Sequence, residues 1–254
     1  MYTELEYKEF LKQVIDAFHN NTPWMHTRYG DGEGIVIGYP EKTNEINARN
    51  RWIKWIGNNN IDMKEFSKKI RESIIHADIV GLPGKRHMTV NQNWRNVKIF
   101  IDEFNLMKDT KYFCCMDHVV TMHRNGDYSK VLFGCKNLHY ISCRDMKSKL
   151  IGVFRTDNNV KGFHLPLQHN PRIGKCLTDL PHYPDCYNGI IKYINNTDLH
   201  NTKWLVGAGG LGKIYCMEIK KRGGVVLDIG SVFDGWDGVI TRSYLQDIIG
   251  NFKL

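Results

Sequence analysis

Residues 203–230 read KWLVGAGGLGKIYCMEIKKRGGVVLDIG, and this stretch sets the fold class. The apolar run at 203–206 suits a buried strand, 207–212 a glycine turn, 214–222 a helix and 225–228 a second strand. Two strands joined by a helix make a βαβ unit, the building block of parallel sheets. Gly207-Ala-Gly209-Gly210-Leu-Gly212 fits G-x-G-x-x-G in the strand-to-helix setting where backbone N–H groups cradle phosphate, and Lys213 follows directly. Asp228 ends the next strand about 20 residues on, the place of a ribose-binding acid in a dinucleotide site. An NAD(P)-dependent oxidoreductase is therefore one reading. Against it, no further strand pattern follows Asp228. An ATPase loop fails because Ile214 stands where a hydroxyl would hold magnesium. A third reading gives these glycines only a packing role.

The same rhythm runs through the rest of the chain. Thr3 with Glu6 reads as a capping box opening a helix with Leu11, Val14, Ile15 and Phe18 on one stripe. Residues 24–29 can be extended, Asp62 with Glu65 opens a second capped helix, and 79–82 suits a buried strand before Pro83-Gly84. A helix over 94–107, strands at 112–116 and 138–142, and a helix over 146–154 continue the alternation. The expectation is an α/β fold in one domain, 1–254, with a mostly parallel sheet covered by helices on both faces.

Composition is ordinary for a globular chain of 254 residues, with 42% hydrophobic and 24% charged residues. A net charge of +8 favours an anionic partner. The basic residues are scattered rather than gathered in a block, so nucleic acid is not expected, and a non-catalytic polyanion-binding module is the last alternative. Acidic residues near the N-terminus and the lack of a long apolar run predict neither export nor a transmembrane segment. Seven cysteines without a C-x-x-C pair suggest reduced thiols in a cytoplasmic protein.

Gly30-Asp31-Gly32-Glu33-Gly34 is a second glycine turn at a strand end. Asp31 and Glu33 flank one glycine, so both carboxylates can turn to one point and seat Mg²⁺ or Mn²⁺, with water and phosphate completing the shell. Arg28 adds a guanidinium that can fork onto phosphate or lock a carboxylate. The plainer reading is a turn whose Glu33 caps the next helix.

Taken together, Arg28-Tyr-Gly-Asp31-Gly-Glu33 and Gly223-Gly-Val-Val-Leu-Asp228-Ile-Gly230 resemble the GT-D-type glycosyltransferases, whose hallmark is a D-x-E motif in an R-[FY]-G-D-G-E context. The resemblance implies a Rossmann-like fold, a nucleotide-sugar donor such as a UDP-sugar, a glycan or protein-linked acceptor, and a metal held through Asp31 and Glu33. On this reading Arg28, Gly30, Gly32, Gly207, Gly209, Gly210, Lys213 and Asp228 surround the donor's diphosphate. Asp234, Asp237 and His182 are candidates for the base that deprotonates the acceptor. Lys85, Arg86 and Arg172 are candidate anion ligands. Where related enzymes often carry a histidine and an acidic-aromatic stretch, this chain runs Ser231-Val-Phe-Asp234-Gly-Trp-Asp237.

Overall fold

A computed structural model describes residues 3–57, 61–107, 112–167, 176–242 and 245. The chain opens with β1 (Thr3–Leu5), α1 (Tyr7–Asn20), β2 (Trp24–Arg28), α2 (Asp31–Ile37), α3 (Glu45–Ile56) and α4 (Met63–His76). Next come β3 (Ile79–Leu82), α5 (Lys85–Met88), α6 (Gln92–Glu103), β4 (Tyr112–Cys115), α7 (His118–Arg124) and α8 (Tyr128–Leu132). They are followed by β5 (Leu138–Ser142), α9 (Lys147–Phe154), β6 (Lys161–His164) and an irregular helical turn at His182–Cys186. The last elements are α10 (Tyr187–Asn196), β7 (Lys203–Gly207), α11 (Gly209–Lys221), β8 (Val225–Asp228) and α12 (Val232–Trp236).

Among the described residues eight strands form one sheet in the order β1-β4-β3-β2-β8-β7-β5-β6, parallel throughout. Side chains alternate across it, as the pleat requires. Met25, Val80, Trp204, Val206 and Val226 join the core beneath α2, α3, α4, α6, α10 and α11. Trp24, Ile79, Leu205, Val225 and Leu227 join the opposite core beneath α1, α7, α8, α9 and α12. Both faces are buried, so the strands read as apolar runs rather than as an alternating pattern.

The start of the chain differs from the expected helix. Thr3 lies in β1, paired with Tyr112 of β4. The cap lies three residues later, where the Glu6 backbone N–H donates to Glu9 Oε2 at 3.0 Å. Both placements put an acid at the third helical position. The later one also frees 3–5 to cover the edge of β4. Residues 94–103 lie in α6, which starts at Gln92, with Asn91 Oδ1 accepting from the Trp94 N–H, and ends at Glu103.

From β2 the chain steps outward through β3 and β4, then crosses to the other half of the sheet and returns through β7 to β8, beside β2. The order reverses between β2 and β8. In open parallel sheets the crevice beyond the strands' carboxyl ends at such a reversal is where ligands bind. Among the described residues no helix is long and apolar enough to cross a membrane. The seven cysteines are free thiols.

Candidate active site

One cavity of about 630 Å³ opens at that crevice. It is lined by the ends of the central strands, Arg28 of β2, Ser142 of β5, Gly207 of β7 and Asp228 of β8, and by residues just past β3, β4 and β6. Its size suits a nucleotide-sized ligand. Among the described residues seven Lys or Arg and five Asp or Glu line it, so this wall is net positive and suits an anionic ligand.

The two glycine turns, far apart in sequence, meet here because their strands, β2 and β7, flank β8 on either side. The Arg28 N–H donates to Asp228 Oδ2 at 3.2 Å, and Arg28 Nη2 lies 3.7 Å from Oδ1. Lys213, in the first turns of α11, donates to Asp228 Oδ2 at 2.5 Å and stands 3.7 Å from Glu33 Oε1. Burial alone would push the Lys213 ammonium to lose its proton. The Asp228 and Glu33 carboxylates outweigh burial and lift its pKa above the ordinary value. Burial likewise pushes Asp228 up, but Lys213 and Arg28 win and hold it below the usual carboxylate range.

Glu33 sits in the first turn of α2, where its Oε2 accepts from the Gly30 N–H at 2.9 Å, so it does cap that helix. Asp31 Oδ1 accepts from the Gly32 N–H at 2.8 Å, and its Oδ2 lies 3.7 Å from Arg51 Nη2. Each acid thus spends one oxygen on the turn and leaves the other in a longer ionic contact only. Among the described residues no group of three or more His, Cys, Asp or Glu could enclose a metal. Two hard oxygens beside a cavity do not make a closed cage. They do fit a cation that completes its shell with water and phosphate oxygens.

The glycines divide by role. Gly30, Gly32, Gly207 and Gly209 line the cavity, and Gly209 takes φ +55°, a left-handed conformation that favours glycine. A Cβ on Gly32 would stand 2.7 Å from Trp55 Cζ2, and one on Gly207 2.6 Å from Phe233 Cδ2. Gly210 is not part of the lining; its missing Cβ makes room for the Trp55 indole, which is the packing role.

The candidate bases are dispersed. His182 lies outside the cavity, 1% exposed, with Nε2 3.1 Å from the Tyr215 hydroxyl, and burial drops its pKa to about 4. Asp234 lines the cavity but holds Arg144 Nε at 2.9 Å and accepts from Thr241 Oγ1 at 2.6 Å. Asp237 is off the lining, bound to Lys149 at 3.1 Å. Arg86 lines the cavity, Lys85 does not, and Arg172 lies outside the described residues.

The structure adds residues that sequence spacing does not single out. Past β3, the His87 ring lies against Trp94, tilted by 36° with ring centroids 4.7 Å apart, and its Nε2 lies 3.4 Å from Oδ2 of Asp117, just past β4. All three line the cavity, as do Arg51 and Lys54 of α3. The one signal for Asp117 was its position immediately after an apolar strand.

No family model matches the chain, and no curated protein matches it. Solved structures do. A selenomethionine-substituted domain of unknown function 1792 (DUF1792) aligns with TM-score 0.54 and 15% identity over 93% of this chain and 80% of its own. A DUF1792 structure described as a distinct glycosyltransferase fold gives 0.54 and 14% over 93% and 80%. A new glycosyltransferase (DUF1792) from Streptococcus sanguinis gives 0.53 and 14% over 93% and 84%. At such identity the likeness is one of fold: this chain has the GT-D-type glycosyltransferase fold, the fold implied by the motifs at 28–33 and 223–230.

Proposed function

We propose that the chain is a glycosyltransferase that moves a sugar from a nucleoside-diphosphate donor, a UDP-sugar as first candidate, to an acceptor hydroxyl on a glycan or protein-linked saccharide. The observation that carries this reading is the convergence of Asp31, Glu33, Lys213 and Arg28 at adjoining strand ends of one net-positive cavity. Asp31 and Glu33 would hold Mg²⁺ or Mn²⁺, which supplies positive charge to the diphosphate. Lys213 is kept protonated by its carboxylate neighbours and fixed in a dry niche. It therefore presents a preorganised cation near the seat of the departing phosphate oxygen, with no reorganisation needed as charge develops there. The first turn of α11, opening on the cavity at Gly209, adds backbone N–H groups to the same seat.

The oxidoreductase alternative needs Asp228 free for a ribose, yet this carboxylate is 2% exposed and already holds Lys213 and the Arg28 backbone. Binding of a nucleoside diphosphate that requires Mn²⁺ or Mg²⁺, with no response to NAD, separates the two in a titration. Strong salt dependence with indifference to metal would instead mark a polyanion-binding module.

The decisive variants are Asp31→Ala and Glu33→Ala. Each well-placed charge on a departing oxyanion is worth about 3 to 4 kcal/mol, so each variant should lose two or more powers of ten in turnover while still folding. Near-normal sugar transfer by both, measured by nucleoside-diphosphate release from a nucleotide-sugar panel, would remove the proposal.

A further inference from the structure

Deprotonating an acceptor hydroxyl needs a carboxylate that reaches the cavity and is not already held by a permanent cation. Of the five acids in the wall among the described residues, Asp31 and Glu33 form the proposed diphosphate and metal seat, Asp228 is locked by Lys213 and Arg28, and Asp234 by Arg144 and Thr241. Asp117 is different. Its side chain is 43% exposed, and the ionic neighbour recorded for it among the described residues is His87, which is charged only when protonated.

From this arrangement we propose that Asp117 is the general base for the acceptor and that His87 positions it. This rests on the glycosyltransferase reading above. The two roles can be told apart within the pair. Nε2 of His87 faces Asp117, whereas Nδ1 is buried on the side of Gly84, with no hydrogen-bond partner among the described residues, where it cannot meet an acceptor. The imidazole is further fixed by its tilted contact with the Trp94 ring, which also packs against Gly30 at the start of the D-x-E turn. The pair thus stands beyond β3 and β4, on the cavity arm next to the proposed donor seat on β2.

In the step this assigns, the acceptor O–H gives its proton to an Asp117 oxygen as the acceptor oxygen bonds to the anomeric carbon. The bond from that carbon to the phosphate oxygen breaks, its electron pair leaving with the nucleoside diphosphate. Asp117 later returns the proton to solvent. A protein base distinct from the leaving group belongs to a single displacement, so the assignment carries inversion at the anomeric carbon with it.

The test needs no identified acceptor, because water can take its place. UDP- and GDP-sugars are offered to the full chain with MnCl₂, and hydrolysis, the anomer first released (by proton NMR) and UDP or GDP affinity are followed together. Asp117→Asn should lower kcat for hydrolysis 100-fold or more, as expected for loss of a positioned base, with nucleoside-diphosphate affinity unchanged and part of the rate restored in Asp117→Glu. His87→Gln should lower kcat by a smaller factor and leave KM for the donor alone. The released sugar should carry the configuration opposite to the donor's.

Wild-type rate in Asp117→Asn, or retained configuration, overturns the role of Asp117 and leaves the glycosyltransferase reading standing. A large loss of UDP or GDP affinity in Asp117→Asn also overturns it, by marking this arm as the nucleobase subsite. A wild-type chain that neither binds nor turns over any nucleotide-sugar overturns both.

Discussion

At the scale of single residues, the centre of the site is a buried charge cluster: Lys213 between Asp228 and Glu33, with Arg28 on the far side of Asp228. Such a cluster is weak evidence of stability in itself, since two desolvated charges offset much of their attraction, but removing one partner strands the other. Lys213→Met should therefore cost about 3 to 5 kcal/mol in urea unfolding, and adding Asp228→Asn should recover part of that loss. The pH dependence follows from the directions of the shifts. Asp228, held below its ordinary 3.8, contributes stability that is fully present above that value and is lost as pH falls through its lower folded value. Lys213, lifted above its ordinary 10.5, contributes stability present below that value and lost as pH rises through its higher folded value. In the Asp228→Asn variant the acid-side loss should shrink, while the part of the alkaline loss owed to Glu33 should remain. Unfolding free energies measured from pH 2 to 12 check both limbs.

At the scale of elements, α11 ties the sheet to the site. It is buried along nearly its whole length, and Gly210 lets it press against Trp55 of α3. A methyl group at 210 would have to push that indole aside. Gly210→Ala should destabilise by about 1 to 3 kcal/mol through overpacking, although alanine is the better helix former, and thermal unfolding reads the sign directly. A stabilised variant would show that the Trp55 contact is slack. The βαβ unit around α11 was legible because apolar strands, glycine turn and helix lie in one stretch. The D-x-E turn was legible for the same reason: its glycines and charges are local. What was not legible depended on sheet order. β1 is three residues long, too short to outweigh a capping pattern, and it exists because β4 leaves an edge to cover. His87 and Asp117 follow different strands, and only the pairing of β3 with β4 brings them together. His182 is one of three candidate bases in the sequence. The fold buries it under Tyr215 instead.

At the scale of the whole molecule, the proposed donor seat is split between segments on either side of residue 200, Asp31 and Glu33 from one and Lys213 and Gly209 from the other. They are joined across β8, which pairs with β2 on one side and β7 on the other, at the point where the strand order reverses. A ligand that bridges them binds only the folded chain, because unfolding separates residues 33 and 213 and disperses the site. Its effect on stability then follows mass action: UDP with MnCl₂ at 100 times its dissociation constant should add about 2.7 kcal/mol to the unfolding free energy. Metal alone should add much less, since the two carboxylates by themselves supply only part of a coordination shell. The proposal also fixes how the variants should behave. Asp31→Ala should keep the unliganded midpoint close to wild type, since its side chain is partly exposed, and should abolish the increment that requires metal. Lys213→Met should lower the midpoint before any ligand is added, because there the site and the core share a residue. If UDP with Mn²⁺ raised the midpoint of Asp31→Ala as much as that of the wild type, the nucleotide would be binding elsewhere, and the crevice between β2 and β8 would need a different ligand.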